Sequence, residues 1–290
     1  MATRLDLPVV DHHCHLSPVG DGVQAAARFR AEGGTHLFLT TQNYAGDVPL
    51  RLDDYREQYV TTERLAERVR AETGVVVYVV LAPYPVDLLG AIDRLGPAAA
   101  LELHQQALEL AGKWIRERRA VALGEVGRPH FPTDPRAAPV IDEALGHAFR
   151  VARESDAPVV LHTEELDAPA YQALASMARR AGVDPSRVVK HYARSRVDPD
   201  RRDGIAPSYL ARRPLVRTVL DDRAPWFLET DFLDDPRRPG AVLDLATVPR
   251  RAQELAREGR ERFERLAVPF VESIERVYGI TPRREEVPAG

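Results

Sequence analysis

Asp11, His13 and His15 stand two residues apart in the run VVDHHCH near the start of the chain. Alternate side chains of a β-strand share a face, so this spacing predicts three polar groups turned inward together, with His12 and Cys14 pointing the other way. Single histidines and carboxylates close later apolar runs in the same manner: Glu125 in VALGEVG, His162 in PVVLHTEE, His191 in RVVKHYA and Asp231 in WFLETD. Each alone is an ordinary polar cap on a strand end. Taken together, His13, His15, Glu125, His162, His191 and Asp231 form a donor set suited to divalent cations. Six donors exceed what one four-coordinate ion requires, which implies two neighbouring ions with Glu125 as the natural bridge. Histidine-rich ligation suits zinc, manganese or iron by softness. Lys190 alternates away from His191, leaving no interior lysine to bridge in its place.

These donors need a scaffold that gathers strand ends. Apolar, β-branched runs occur at roughly 7–12, 35–41, 75–82, 120–125, 158–162, 187–191, 205–209 and 226–231. Helical patterns lie between most of them, at 21–32, 53–72, 86–118 with a break near Gly96-Pro97, 137–155, 168–181 and 209–222. Strand and helix in alternation predict a parallel sheet with helices outside, and eight strands predict an α/β fold of the (β/α)8 TIM barrel type as one domain over residues 1–290. A doubly wound sheet shares the alternation and is the alternative. Residues 192–204, YARSRVDPDRRDG, are too short and too rich in Pro, Asp and Gly for an outer helix, so the sixth βα unit is expected to be reduced to a loop. Phe263, Leu266, Phe270, Ile274 and Val277 recur at helical spacing and predict a closing helix over 249–277. In such a barrel the chemistry collects at the carboxyl ends of the strands, where all six donors fall.

Composition narrows the function classes. The net charge is −4 and no apolar stretch approaches the ~20 residues of a membrane span, so neither a general polyanion binder nor a membrane protein is expected. MATRLDLPVVD reaches charge before a secretory apolar region could form, which predicts a cytoplasmic protein. The single cysteine, Cys14, is expected to be a small core residue. Between 187 and 217, basic residues exceed acidic ones by six. Arg194, Arg196, Arg201 and Arg202 follow His191 closely, with Tyr192 and Tyr209 nearby. Guanidinium forks suit phosphate oxygens and aromatic rings suit bases, so the stretch points to a phosphodiester or nucleic-acid substrate; a solvated or subunit-facing surface is the plain alternative. Arg128 and His130 in GRPHFP are further substrate-facing candidates. Asp11 and Glu229 are expected to fix imidazole tautomers from behind, and His36, His104 and His147 to be structural or exposed.

The same motifs resemble those of the TatD-related metal-dependent hydrolases of the amidohydrolase superfamily, over nearly the whole chain. DHHCHL is similar to that family's opening Asp-x-His-x-His strand, GEVG to its Gly-Glu-[Ile/Val]-Gly strand, LHTEE and KHYA to its two single-histidine strands, and ETD to its closing motif. The resemblance implies one metal held by His13, His15 and Asp231 with Glu125, and a second held by Glu125, His162 and His191. It further implies metal-assisted hydrolysis, commonly magnesium-dependent, in which Asp231 orients or deprotonates the attacking water, with nucleases acting on DNA as the best-known members. GGTHLFLTTQNY and ETDFLDDPRRPGAV look like an archaeal branch; familiar bacterial members follow Glu-Thr-Asp with Ser-Pro or Ala-Pro, where this chain has Phe232. An ester or amide hydrolase, such as a lactonase or aminoacyl-tRNA deacylase, and a metal-stabilised binding protein without activity are the competing expectations.

Overall fold

The computed structural model describes residues 6–235 and 242–284. Eight strands, β1 (Val10–His15), β2 (His36–Thr40), β3 (Val76–Leu81), β4 (Ala122–Gly127), β5 (Val159–His162), β6 (Val188–Ala193), β7 (Ala206–Leu210) and β8 (Phe227–Glu229), pair in chain order and in parallel. A short ninth, β9 (Phe232–Leu233), begins only two residues after β8 and pairs with β1 through Cys14↔Phe232 and His15↔Leu233. The last strand thereby runs on to the first, with Asp231 N donating to His13 O at 3.0 Å across the seam. The sheet closes on itself as the barrel that the eight runs predict.

Helices α1 (Val23–Ala31), α2 (Leu52–Thr73), α3 (Pro85–Leu95), α4 (Pro97–Arg116), α5 (Ala138–Glu154), α6 (Ala168–Arg180) and α7 (Arg213–Val219) fill the connections. In α2, Tyr55, Tyr59, Thr62, Ala66 and Val69 recur every three or four residues and are all buried, giving the helix one core-facing stripe. The break between α3 and α4 falls on Gly96, whose φ of 82° is open to glycine, with Pro97 starting the next helix where its missing N–H costs nothing. Between β6 and β7 only a short 3-10 turn, Pro199–Arg201, is present, so the sixth unit is reduced.

The expectation of one closing helix over 249–277 is corrected. The segment is divided into α8 (Thr247–Glu258), α9 (Arg260–Glu264), a π-helical turn at Val268–Glu272 and α10 (Ser273–Tyr278). Gly259 at φ 135° separates the first two, and Pro269 within the π turn has no N–H to give to a regular helical ladder.

Two apolar layers hold the barrel together. Leu37, Leu39, Val77, Val79, Leu123, Val159, Leu161 and Val188 face outward against the helices, together with Cys14. Val10, Phe38, Val80, Ala122, Val160, Val189 and Phe227 come from seven different strands and pack with Phe270, Ile274 and Tyr278, so the C-terminal segment seals the barrel interior. Cys14 is a core residue as expected, and burial raises its thiol well above the usual range. Among the described residues no helix is long and apolar enough to cross a membrane.

Candidate metal centre

Strand register is irregular at three of the strands that carry the expected donors: between Asp11 and Cys14, between Gly124 and Val126, and between Lys190 and Ala193. An extra residue in a strand bends it and re-aims its side chains. His13, Glu125 and His191 each lie inside one of these irregular stretches. Asp231 sits in the gap between β8 and β9 with φ 50°, and Tyr192 directly after His191 has φ 56°, a left-handed conformation that non-glycine residues seldom adopt. The glycines of GEVG have a steric reason to be there. A Cβ on Gly127, itself at φ 139°, would meet His162 O at 2.2 Å, and one on Gly124 would meet Val160 Cβ at 2.6 Å. Only bare backbone lets β4 approach β5 closely enough to set Glu125 beside His162.

All six expected donors converge. His13 Nε2 lies 3.2 Å from His15 Nε2, 3.0 Å from Glu125 Oε1 and 3.8 Å from Asp231 Oδ1, while His15 Nε2 lies 3.9 Å from Glu125 Oε1 and 3.8 Å from Asp231 Oδ1. On the other side of the same carboxylate oxygen, His191 Nε2 is at 2.9 Å, His162 Nδ1 at 3.6 Å, and those two nitrogens are 3.0 Å apart. Bonds of ~2.0–2.1 Å in a tetrahedron separate ligands by about 3.3–3.4 Å, and the observed edges bracket that value. Glu125 Oε1 belongs to both groups. The chemistry and spacing of the donors therefore fit divalent cations.

A polar group also stands behind each imidazole. His15 Nδ1 lies 3.1 Å from Thr40 O and His13 Nδ1 3.4 Å from Thr40 Oγ1. His191 Nδ1 lies 3.5 Å from Glu229 Oε1, and His162 Nε2 lies 2.8 Å from His130 Nδ1 and 3.4 Å from Tyr84 Oη. A proton kept on the outer nitrogen leaves the inner one as a lone-pair donor, which is what metal binding needs. Electrostatics point the same way. Burial opposes ionisation of Glu125, yet the surrounding imidazoles outweigh it and hold the carboxyl well below its usual range. Burial lowers His15 to about 4 and lifts Asp231 to about 7. His191 differs: burial opposes its charge, but Glu125 and Glu229 prevail and raise it to about 10.

The sequence model of the TatD-related DNase family matches residues 10–279. The chain belongs to this family. A relative from Methanocaldococcus jannaschii, an uncharacterized protein, is 29% identical over 276 residues, covering 94% of this chain and 96% of its own. Two solved structures share the fold: the TatD homologue YjjV of Escherichia coli (20% identity, TM-score 0.59, covering 95% of this chain and 100% of that one) and a TatD-like protein from Archaeoglobus fulgidus (14%, 0.60, 93% and 100%). The fold that the closed sheet displays is the TatD barrel fold.

Several expected roles fall elsewhere in this TatD-family chain. His12 is not turned away from the barrel: the irregularity after Asp11 leaves it inside, stacked on Phe227 with centroids 4.0 Å apart and its Nε2 2.7 Å from Tyr278 Oη. Asp11 touches no donor imidazole. Its carboxylate accepts from the backbone N–H of His13 and Thr230 and from the Thr230 hydroxyl, tying β1 to the β8 seam next to Asp231. Glu229 lies behind His191, with Oε1 3.5 Å from Nδ1, and accepts from Tyr192 N at 2.7 Å.

The arginines divide. Arg202 is 2% exposed and donates to Asp222, Val197 O and Pro225 O; Arg196 forks onto the same Asp222. Both guanidiniums are committed within the fold. Arg194 is exposed, 3.6 Å from Glu165, and Arg201 is exposed without a partner among the described residues. Arg128 faces Asp142 at 3.2 Å and Glu164 at 3.9 Å. His130 lies against His162. His36 and His104 are buried as structural residues, while His147 lies 3.4 Å from Glu109.

Thr40, Tyr84 and Asp234 went unnoticed in the sequence. Asp234 accepts from the backbone N–H of Ser17, Asp21 and Gly22 and so anchors the loop after β1. The DFLDD run held the signal for Asp234, a buried acid just past the last strand, but nothing in the composition distinguished it. The end of the ETDFLDDPRRPGAV motif, at 236–241, lies outside the described residues.

Proposed function

We propose that this chain is a dinuclear metal-dependent phosphodiesterase acting on nucleic acid. The observation that carries the reading is Glu125 Oε1, within hydrogen-bond or coordination reach of histidines from both groups. Divalent cations held by His13, His15, Glu125 and Asp231, and by Glu125, His162 and His191, would lower the pKa of water toward neutrality and polarise a phosphoryl oxygen. Asp231 would hold the attacking water and take its proton as the water oxygen bonds to phosphorus. The opposite P–O bond breaks, and the leaving oxygen takes up a proton as it departs. Glu125 keeps its negative charge between the two groups throughout. Arg194 and Arg201, two exposed cations beyond β6 that Asp222 does not hold, would contact neighbouring phosphates.

One observation favours a second reading. Glu165 and Glu164 stand against Arg194 and Arg128, which lowers the positive charge available at the mouth. A small ester or amide substrate would suit that balance. Zinc- or manganese-reconstituted protein tested on single-stranded oligonucleotides, a small phosphodiester, a lactone and an acyl ester separates the two. Oligonucleotide cleavage supports the first reading; lactone or acyl-ester turnover without it moves the assignment to the second. Full metal occupancy with no turnover on any of the four would favour a binding protein.

A further inference from the structure

Three of the four donor imidazoles have a buried oxygen nearest their outer nitrogen: Thr40 O 3.1 Å from His15, Thr40 Oγ1 3.4 Å from His13, and Glu229 Oε1 3.5 Å from His191. Those partners are themselves buried. His162 is the exception. It also turns its ring the other way round, presenting Nδ1 to Glu125 and His191 where the other three present Nε2. Its outer nitrogen meets His130, an exposed residue on the loop after β4, at 2.8 Å, with Tyr84 Oη farther off at 3.4 Å.

We propose that His130 is the positioning residue for His162 and sets the occupancy of the metal position formed by Glu125, His162 and His191. The proposal rests on the metal reading above. For His162 Nδ1 to offer a lone pair, its proton must sit on Nε2, where it donates to His130 Nδ1. A neutral His130 that accepts at Nδ1 carries its own proton on Nε2. The pair thus fixes two tautomers in series, and the second leaves an N–H donor on an exposed ring at the mouth. That donor suits an anionic or carbonyl oxygen of the substrate. The shorter distance makes His130, not Tyr84, the principal acceptor. An exposed loop side chain is more easily displaced than a buried carbonyl, so this position is the more readily emptied of the two.

Competition titration with a chromophoric chelator, on full-length protein with zinc, tests the proposal. Wild type reports on the metal reading by itself: failure to take a second equivalent would count against that reading, whatever His130 does. His130→Phe should bind the second equivalent about 10- to 100-fold more weakly, the range expected when the group behind a ligand is removed, with the first unchanged. His130→Asn, whose side-chain oxygen can accept in place of Nδ1, should recover most of the loss. Long-range 1H–15N spectra of the zinc-loaded protein should place the His162 proton on Nε2. Unchanged second-site affinity in His130→Phe, equal losses in both variants, or a proton on His162 Nδ1 would each overturn the assignment.

Discussion

Arg202→Ala removes a guanidinium that the sequence offers to substrate and the fold keeps for itself. Arg202 donates to Asp222 Oδ2 at 3.1 Å, to Val197 O at 2.8 Å and to Pro225 O at 3.2 Å, and its guanidinium lies 6.0 Å from the centroid of the Tyr209 ring. Breaking a buried ion pair from one side costs ~3–5 kcal/mol. Arg196 still forks onto Asp222 in the variant, which places the expected loss at the lower end, about 3 kcal/mol. For a chain of this size, that is a fall in Tm of roughly 6 °C. Arg194→Ala and Arg201→Ala, at exposed positions, should stay within about 0.5 kcal/mol of wild type. Thermal melts of the three variants and wild type, in chelator so that metal binding does not contribute, make the comparison. If Arg202→Ala melts with wild type while oligonucleotide affinity falls, the guanidinium serves substrate and the structural role is wrong.

The exposed arginines carry the complementary expectation: replacing both Arg194 and Arg201 by alanine should flatten the logarithmic salt dependence of single-stranded DNA binding by about 0.7 per lost phosphate contact, read by fluorescence anisotropy, and an unchanged slope would remove them from the interface. Asp231→Asn keeps the shape of the side chain but cannot take a proton, so turnover in the metal-loaded protein should drop about 100-fold or more with the far-ultraviolet spectrum unchanged; full activity would exclude Asp231 as base. His104 is buried with no partner for Nδ1 among the described residues, and burial lowers it to about 3. Because the unfolded chain takes up that proton first, the stability it contributes is complete above pH 6.5 and drains away as pH falls toward 3. By pH 4 the loss is on the order of 3 kcal/mol, and urea unfolding of His104→Leu should show a shallower acid decline than wild type.

Much of the barrel was legible because strand and helix periods differ so plainly, and because Gly96-Pro97 and the stretch 192–204 carry local signals that no packing overrides. The donor types and their strand ends were legible for the same reason. Side-chain direction was less so. Strict alternation puts His12 outward and Asp11 with the donors, whereas the irregular register after Asp11 places His12 under the site and spends Asp11 on Thr230. An inserted residue leaves no mark in a hydrophobic pattern of period two. The arginines misled for another reason: charge density along the chain does not tell which guanidinium will find Asp222, since that partner lies 20 residues and more away. Thr40 and Tyr84 support donor histidines from other strands and loops, a relation that exists only once the sheet has closed.

The central claim is that two cations share Glu125. Elemental analysis of wild type and Glu125→Gln after zinc reconstitution and gel filtration tests it most directly. Wild type should retain two equivalents per chain, and Glu125→Gln should lose affinity at both positions together, since the neutral amide no longer offsets the charge of either ion. Wild type saturating at one equivalent, or a Glu125→Gln protein that keeps one position at full strength, would contradict the account.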